Sequence, residues 1–329
     1  MKILFIGGTG IISSACARLA IERGFDVYLL LRGESERARP IPMGAQILRG
    51  DIRDYQTAEY ALGQHTFDAV VDFVAFVPEH IETDLALFRG RTNQYVFISS
   101  ASAYKKPVVS LPITESTPLH NPFWEYSRNK IACEQRLLHA YRSDGFPMTI
   151  VRPSHTYDQT LLPFDPHGAG ATVLARIEQG KPVVVHGDGT SLWTLTHNED
   201  FAVGLIGLLG HPAALGEAFH ITSQESLTWN EIFLSIARAA GKPADLVHVP
   251  SDVIAREHED WGAGLLGDKA HSVLFDNSKI KRLVPEFHPV IPFWQGAREI
   301  VAYHHRNPHL LRVDPVVDAL MDRLVERFG

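Results

Sequence analysis

Lys2-Ile3-Leu4-Phe5-Ile6-Gly7-Gly8-Thr9-Gly10-Ile11-Ile12-Ser13 is the stretch that decides the fold. A short apolar run comes first, then a turn rich in glycine. A segment with apolar residues at three- and four-residue spacing follows as far as Arg23. That order reads as strand, turn and helix. Glycines let a backbone turn tightly and approach a pyrophosphate, which the free N–H groups of a helix start attract. A glycine run alone reads equally as a plain tight turn. Here a second apolar run, Asp26–Arg32, follows the helix and makes a βαβ unit. The last glycine of the usual spacing is replaced by Ser13, small enough for close helix–sheet packing.

Working outward, Ala45–Arg49, Ala69–Ala75, Gln94–Ser100 and Thr149–Arg152 are further apolar runs, separated by helix-like stretches such as Tyr126–Arg142. Strands apolar throughout, alternating with helices, argue for a parallel sheet covered on both faces. Right-handed crossovers make it doubly wound, a Rossmann-type α/β fold. After Arg152 the rhythm breaks. Residues 153–180 hold Pro153, Pro163, Pro166, Gly168 and Gly170 and read as loop. A strand at Pro182–His186 and a helix from Asn198 come next. Thr228-Trp229-Asn230-Glu231 is a capping box that predicts a helix over about 229–240. Asp314-Pro315 opens a last helix. The expected division is a dinucleotide-binding domain at 1–153, with returns near 182–222. Residues 154–329 would form a smaller, interleaved substrate lobe.

The chain has 329 residues, of which 45% are hydrophobic and 21% charged, enough to bury a sizeable core. Its formal charge of −7, with basic residues scattered, argues against nucleic-acid and anionic-membrane partners. Cys16 and Cys133 lack any C-x-x-C spacing and read as reduced core thiols. Met1–Gly8 carries no charged stretch leading into a long apolar one, and no apolar run approaches the ~20 residues of a membrane span. A cytoplasmic location is the expectation. His304, His305 and His309 have no Cys or acid at ligand spacing, so no metal is expected.

The end of the second strand discriminates cofactors: an acid there binds the ribose 2′-hydroxyl, an arginine a 2′-phosphate. Leu30-Leu31-Arg32-Gly33 has no acid before Glu34, and Arg37 and Arg39 are near. NADP(H) is favoured over NAD(H), although Arg32 also reads as an adenine-stacking or solvated residue. Asp51 and Ile52, after the third strand, are placed to hold the adenine or to form a solvated loop.

Tyr126-Ser127-Arg128-Asn129-Lys130 places a phenol and an ammonium four residues apart on one helical face. The ammonium would lower the phenol pKa, so that Tyr126 exchanges a proton with a carbinol or carbonyl oxygen. Phe97-Ile98-Ser99-Ser100 ends the fifth strand 26 residues earlier. Ligands bind at the carboxyl ends of such strands, so Ser100 can orient a substrate oxygen, or simply cap the strand.

Taken together, these motifs resemble the extended short-chain dehydrogenases/reductases, the superfamily of nucleotide-sugar epimerases and dehydratases, from residue 2 to about residue 300. The resemblance implies Gly7, Gly8, Thr9, Gly10, Ile11 and Ile12 at the pyrophosphate, with Arg32, Asp51 and Ile52 at the adenosine end. It implies Tyr126, Lys130 and Ser100 as the catalytic set, Lys130 also reaching the nicotinamide ribose. Arg152-Pro153-Ser154 resembles a turn beside the nicotinamide, and Gly187-Asp188-Gly189 with His197 and Asp200 resembles a later family stretch. Ser102, Trp124, His155 and Trp193 are the substrate-side candidates. Trp124 would wall the site or staple the helix start. His155 and Tyr157 would line the site or pack elsewhere.

The departures narrow the chemistry. Ser13 resembles an atypical branch of the superfamily, and Val71-Asp72-Phe73-Val74-Ala75 offers no upstream asparagine. Ala101 and Ser102 stand where dehydratases resemble one another in carrying an acid pair. Trp193, and Leu265 with Leu266, stand where epimerases would place phosphate-binding arginines. Lys269 or His271 could compensate; a less charged polyol, sugar or ketone fits as well. The expectation is an NAD(P)-dependent oxidoreductase or epimerase acting on a carbinol or keto carbon of a small polar molecule. The alternative is a non-catalytic NAD(P)-sensing or RNA-associated relative. A homodimer through the Tyr126 helix is compatible with the superfamily.

Overall fold

The computed structural model describes residues 1–33 and 39–329. Glu34 and Arg37, weighed above for cofactor choice, lie outside the described residues. Seven strands form one parallel sheet. In chain order the first six are β1 (Lys2–Ile6), β2 (Asp26–Leu31), β3 (Gln46–Arg49), β4 (Ala69–Asp72), β5 (Tyr95–Ile98) and β6 (Met148–Pro153). The seventh is Ala218–Ile221, and the spatial order runs β3, β2, β1, β4, β5, β6, then the seventh. This is the doubly wound fold. Ile6 pairs with both Leu30 and Asp72, so the strand order reverses at β1 and the carboxyl ends line up there.

Helices α1 (Ile11–Glu22), α2 (Tyr55–Leu62), α3 (Pro78–Phe88) and α4 (Glu125–Asp144) alternate with the strands. Two apolar cores cover the two sheet faces, one around α1 and the Asn198–Leu208 helix, the other around α2, α3 and α4. A third core joins the Trp229–Ala239 helix to the last two helices, Phe293–Arg306 and Pro315–Phe328. The Thr228–Glu231 capping box and the Asp314 cap form as read. Cys16 and Cys133 are free and buried. Among the described residues, no helix is long and apolar enough to cross a membrane.

Strands β4 and β5 stop earlier than their apolar runs. The Asp72 carboxylate accepts from the backbone N–H groups of Val74 and Ala75, curling the chain off β4. Ser100 Oγ accepts from Ser102 N, starting a 3₁₀ turn at Ala101–Ala103. Both endings are side-chain capture of backbone donors, which competes with the ladder.

Residues 153–180 are not all loop. His155–Tyr157 pairs with Leu195–His197, and Gly170–Gln179 is a helix. The glycine at its start serves contact: a Cβ on Gly170 would stand 2.6 Å from Leu162 Cβ. Val183–His186 pairs with Leu246–Val249 outside the main sheet.

One buried ion pair ties α4 to the sheet. Arg152, on β6, donates to both Glu134 oxygens at 2.9 and 2.6 Å, and to the Tyr104 hydroxyl at 3.1 Å. Ser99 Oγ donates to the same carboxylate. Both charged partners are nearly inaccessible (Arg152 5%, Glu134 3%), so neither is hydrated when the other is lost. Glu134→Ala and Glu134→Gln should therefore each cost about 3–5 kcal/mol in urea unfolding, since both leave the Arg152 charge buried and unpaired. Small losses would show that the pair is not holding α4.

Candidate active site

The glycine turn between β1 and α1 is built for close approach. Gly7 has φ +82, and a Cβ there would meet Val74 Cγ1 at 2.6 Å; one on Gly8 would meet Leu29 Cδ2 at 2.5 Å. Ser13 closes the turn, its hydroxyl donating to Gly7 O at 2.6 Å and accepting from Gly10 N at 2.8 Å. That is the physical role of the serine where a third glycine is usual. Asn198 Nδ2 steadies the helix start by donating to Ile11 O at 2.8 Å. The cradle fits a dinucleotide pyrophosphate, since side chains would fill it and helix N–H groups face it.

Arg32 is exposed just past β2. Asp51 follows β3, where its carboxylate accepts from Arg53 N at 2.9 Å; Ile52 beside it is buried. All three thus stand at the carboxyl edge of the sheet, with the glycine turn. Arg39 is committed elsewhere: its guanidinium pairs with Asp158 and donates to Thr160. Of the two described arginines read near the second strand, Arg32 is exposed and Arg39 is paired.

A cavity of about 1020 Å³ opens at the same edge, beyond β1, β4, β5 and β6. Ile11, Ile12, Ser100, Ser102, Trp124, Tyr126, Lys130, Pro153, His155 and Trp193 all line it. Every catalytic and substrate-side candidate is thereby brought together. Gly7, Gly8, Thr9, Gly10, Arg32, Asp51 and Ile52 lie outside its lining.

Tyr126 sits in the first turn of α4 with Trp124 before it, ring centroids 4.9 Å apart. Trp124 therefore walls the cavity. Asn121 fixes the start of the helix: its Oδ1 accepts from Phe123 N and Trp124 N, and its Nδ2 donates to Ser102 O and Gly267 O. Ser100, Ser102 and Ser127 form a chain of hydroxyls at 2.9 and 2.7 Å. Burial pushes the Tyr126 phenol up to about 12, a hydrogen bond with Ser100 pulls it down, and Asp268 raises it. The lowering expected from Lys130 does not prevail. The Lys130 ammonium stands 5.7 Å from the Tyr126 ring centre and spends two donors on Ala75 O (2.7 Å) and Ile98 O (2.8 Å). Burial lowers Lys130 itself to about 8.

His155 faces the cavity as a neutral ring. Burial lowers its pKa to about 3, helped by Lys269 and then His167. Trp193 Nε1 donates to His155 Nδ1 at 3.3 Å, which leaves the ring proton on Nε2. Trp193 is 4% exposed and packed against Trp229, so it braces His155 rather than offering a free stacking face. Arg152 turns away to Glu134, leaving Pro153 and Ser154 on the cavity. The Gly187–Gly189 turn lies outside the lining, and Asp200 instead accepts from Val290 N and Ile291 N.

Sequence reasoning missed two ion pairs in the walls. Lys269 lies 3.4 Å from Asp165 and above the Trp124 and Trp193 rings; Lys106 is buried and 2.9 Å from Asp268. The paired residues are 104 and 162 positions apart in sequence. 

No local pattern announces either pair. His271, the other compensating candidate, donates from Nε2 to Leu266 O at 3.0 Å and does not line the cavity. Among the described residues, no arginine lines it. His304 and His305 are engaged with Ile300 O and Glu178, and among the described residues no group of three metal-ligating side chains converges.

A doubly wound sheet with a glycine cradle and a Tyr–Lys–Ser set at its carboxyl edge defines an extended short-chain dehydrogenase/reductase. Residues 3–222 match the NAD dependent epimerase/dehydratase family, and the chain belongs to it. It is an enzyme family, as the sequence implied. The chain is 29% identical over 259 residues to the chloroplast stem-loop binding protein of 41 kDa b of Arabidopsis thaliana, covering 75% of this chain and 65% of that one. It is 27% identical over 291 residues to 2'-dehydrokanamycin reductase of Streptomyces kanamyceticus, covering 87% and 80%. The epimerase Mth375 of Methanothermobacter thermautotrophicus has the same fold, with TM-score 0.78 at 19% identity over 94% of both chains.

The depressed histidines set a pH dependence. His155 falls to about 3 and His186 to about 4, both mainly through burial, against an ordinary 6.5. Below 6.5 the unfolded chain binds these protons and the folded one does not, so stability is lost as pH falls. The loss should approach ~1.4 kcal/mol per pH unit for each group between about pH 6 and 4. His155→Asn should flatten the dependence measured by urea unfolding; an unchanged slope would mean that His155 titrates normally.

Proposed function

We propose that the chain reduces a keto carbon, or oxidises the matching carbinol, on a sugar-like small molecule without a nucleotide diphosphate. Tyr126 is the acid–base group, Ser100 orients the reacting oxygen and Lys130 supports both. The observation that carries this reading is a Tyr126–Ser100 pair in a cavity that no described arginine lines. A diphosphate is normally clamped by arginine forks. Here the wall ammonium of Lys269 is already matched by Asp165.

The cofactor, when bound in the cradle from Gly7 to Ile12, supplies or accepts the hydride. Lys130 and Pro153 are placed for its nicotinamide end, Arg32, Asp51 and Ile52 for its adenosine end. NADP(H) is favoured on Arg32 alone, with NAD(H) as the other choice. A phenol held up near 12 is protonated at neutral pH and ready to donate to a carbonyl oxygen, which favours the reductive direction. The Ser100 hydrogen bond and the ring of Trp124 fix its position. The neutral His155 offers its Nε2–H to a substrate oxygen without adding charge. The reductase from Streptomyces supports this class of substrate by its name and its coverage. Epimerisation uses the same residues and differs in whether the oxidised sugar stays bound. We take 1–153 as the cofactor part, with 154–329 mainly as the substrate lobe, in a cytoplasmic protein with reduced thiols.

The second reading is a non-catalytic RNA-associated or NAD(P)-sensing protein, favoured by the Arabidopsis relative. The formal charge of −7 opposes RNA. Tyr126→Phe separates the two. In a screen of carbonyl sugars and polyols, kcat should fall about 100-fold or more while cofactor affinity stays within about threefold. Turnover that survives the substitution would contradict the role of Tyr126. A wild-type protein with no turnover, but an unaltered partner response in the variant, would favour the second reading.

A further inference from the structure

Two carboxyl groups that the mechanism does not use lie beneath Lys130. Asp72, at the end of β4, and Asp84, on α3, are both fully buried. Asp72 Oδ1 is occupied by Val74 N at 2.5 Å and Ala75 N at 3.0 Å. Asp84 Oδ2 accepts from the Tyr95 hydroxyl at 2.6 Å. The remaining oxygens, Asp72 Oδ2 and Asp84 Oδ1, meet no donor. Burial first, and then the neighbouring charge of Asp72, hold the Asp84 carboxyl well above the usual range, so Asp84 carries a proton. Two adjacent carboxylates in a buried site do not both ionise.

The pair sits where its charge matters. Asp72 folds residues 73–75 around itself, and the carbonyl that results from this turn, Ala75 O, accepts from Lys130 Nζ at 2.7 Å. On the other side Arg53 donates to Val74 O. Lys130 is 2% exposed and otherwise faces Ile98 O and the rings of Phe76, Phe97 and Tyr126. The charged or titratable groups around it are Asp72, Arg53, Cys133, Glu134 and, on α3, His80. Glu134 is neutralised by Arg152. Burial pushes the Cys133 thiol up and the His80 ring down, so both are uncharged near neutral pH.

We infer that Asp84 keeps its proton and that the negative charge of Asp72 is the counter-ion that keeps Lys130 protonated and in place. Asp72 and Asp84 are positioning residues: neither reaches the cavity lining. The site thereby answers the missing upstream asparagine with an anion instead of an amide. The catalytic consequence rests on the reading of Lys130 given above; the charge state of Lys130 does not, and it can be read with no turnover.

The two carboxyls therefore answer differently to substitution. Asp84→Asn leaves the charge on Asp72, whereas Asp72→Asn removes it, because burial keeps Asp84 protonated. Either amide retains the acceptor oxygen that its hydrogen bonds use. The probe is acetic anhydride, with acetylation of Lys130 followed against pH by mass spectrometry. In the wild type the midpoint should lie near 8. It should stay within about half a unit in Asp84→Asn and fall by about one unit or more in Asp72→Asn, because losing an anion disfavours the ammonium. Infrared difference spectra provide a second readout on folded protein: a protonated carboxyl at pH 7 in the wild type, kept in Asp72→Asn and lost in Asp84→Asn. An Asp72→Asn midpoint equal to the wild type's, an Asp84→Asn midpoint shifted as far as that of Asp72→Asn, or no protonated carboxyl in the wild type would overturn the inference. Tyr126→Phe without effect on turnover would instead overturn the catalytic reading and leave the inference about charge standing.

Discussion

Burying the ammonium of Lys130 costs several kcal/mol unless its donors are met and its charge is answered, and the ends of β4 and β5 are arranged to do both. Ala75 O and Ile98 O, one from each strand end, accept from it. Those carbonyls are available because both strands stop early, β4 on the Asp72 carboxylate and β5 near the Ser100 hydroxyl. The same two strand ends present Val74 to the glycine turn and Ser100 to Tyr126. A single buried charge thus joins the cofactor cradle to the reacting groups, and α4 is held in register with the sheet by Glu134 and Arg152 one turn further on.

The electrostatics of the cavity follow from burial more than from attraction. Tyr126 is raised, and Lys130 and His155 are lowered, each with burial as the leading cause. The result is a site with a protonated phenol and a neutral imidazole at neutral pH. Such a site donates hydrogen bonds to oxygen without carrying a strong field. The wall cation Lys269 stands beside Asp165, and the wall carboxylate Asp268 pairs with buried Lys106, which cancels these charges locally. A polyhydroxylated molecule matches that surface better than a polyanion does.

Much of this was legible in the sequence. The six apolar runs, the glycine turn and the Tyr126–Lys130 spacing are local patterns, and local patterns specify where strands, turns and helices form. They led to the right sheet and to one cavity holding Ser100, Tyr126, Lys130, Trp124, His155 and Trp193. What stayed hidden depends on contacts between distant residues. Proline and glycine in 153–180 read as loop, yet Gly170 is there to pass Leu162 and His155–Tyr157 finds its strand partner near residue 196. Arg39 read as a phosphate ligand until Asp158, 119 residues away, claimed it. Asp72 read only as the absence of an asparagine, because its partner Asp84 lies on the next helix. An acid closing an apolar strand was the one local sign.

The central claim is that the edge of the sheet from Gly7 to Lys130 is a working dinucleotide cleft. Calorimetric titration of the folded protein with NADP⁺ and NAD⁺ tests it most directly. Saturable binding of one dinucleotide per chain, tighter for NADP⁺ and weakened by Arg32→Ala for that cofactor alone, is the predicted result. A folded protein that binds neither dinucleotide would contradict the account, and the resemblance of its fold would then carry no cofactor chemistry.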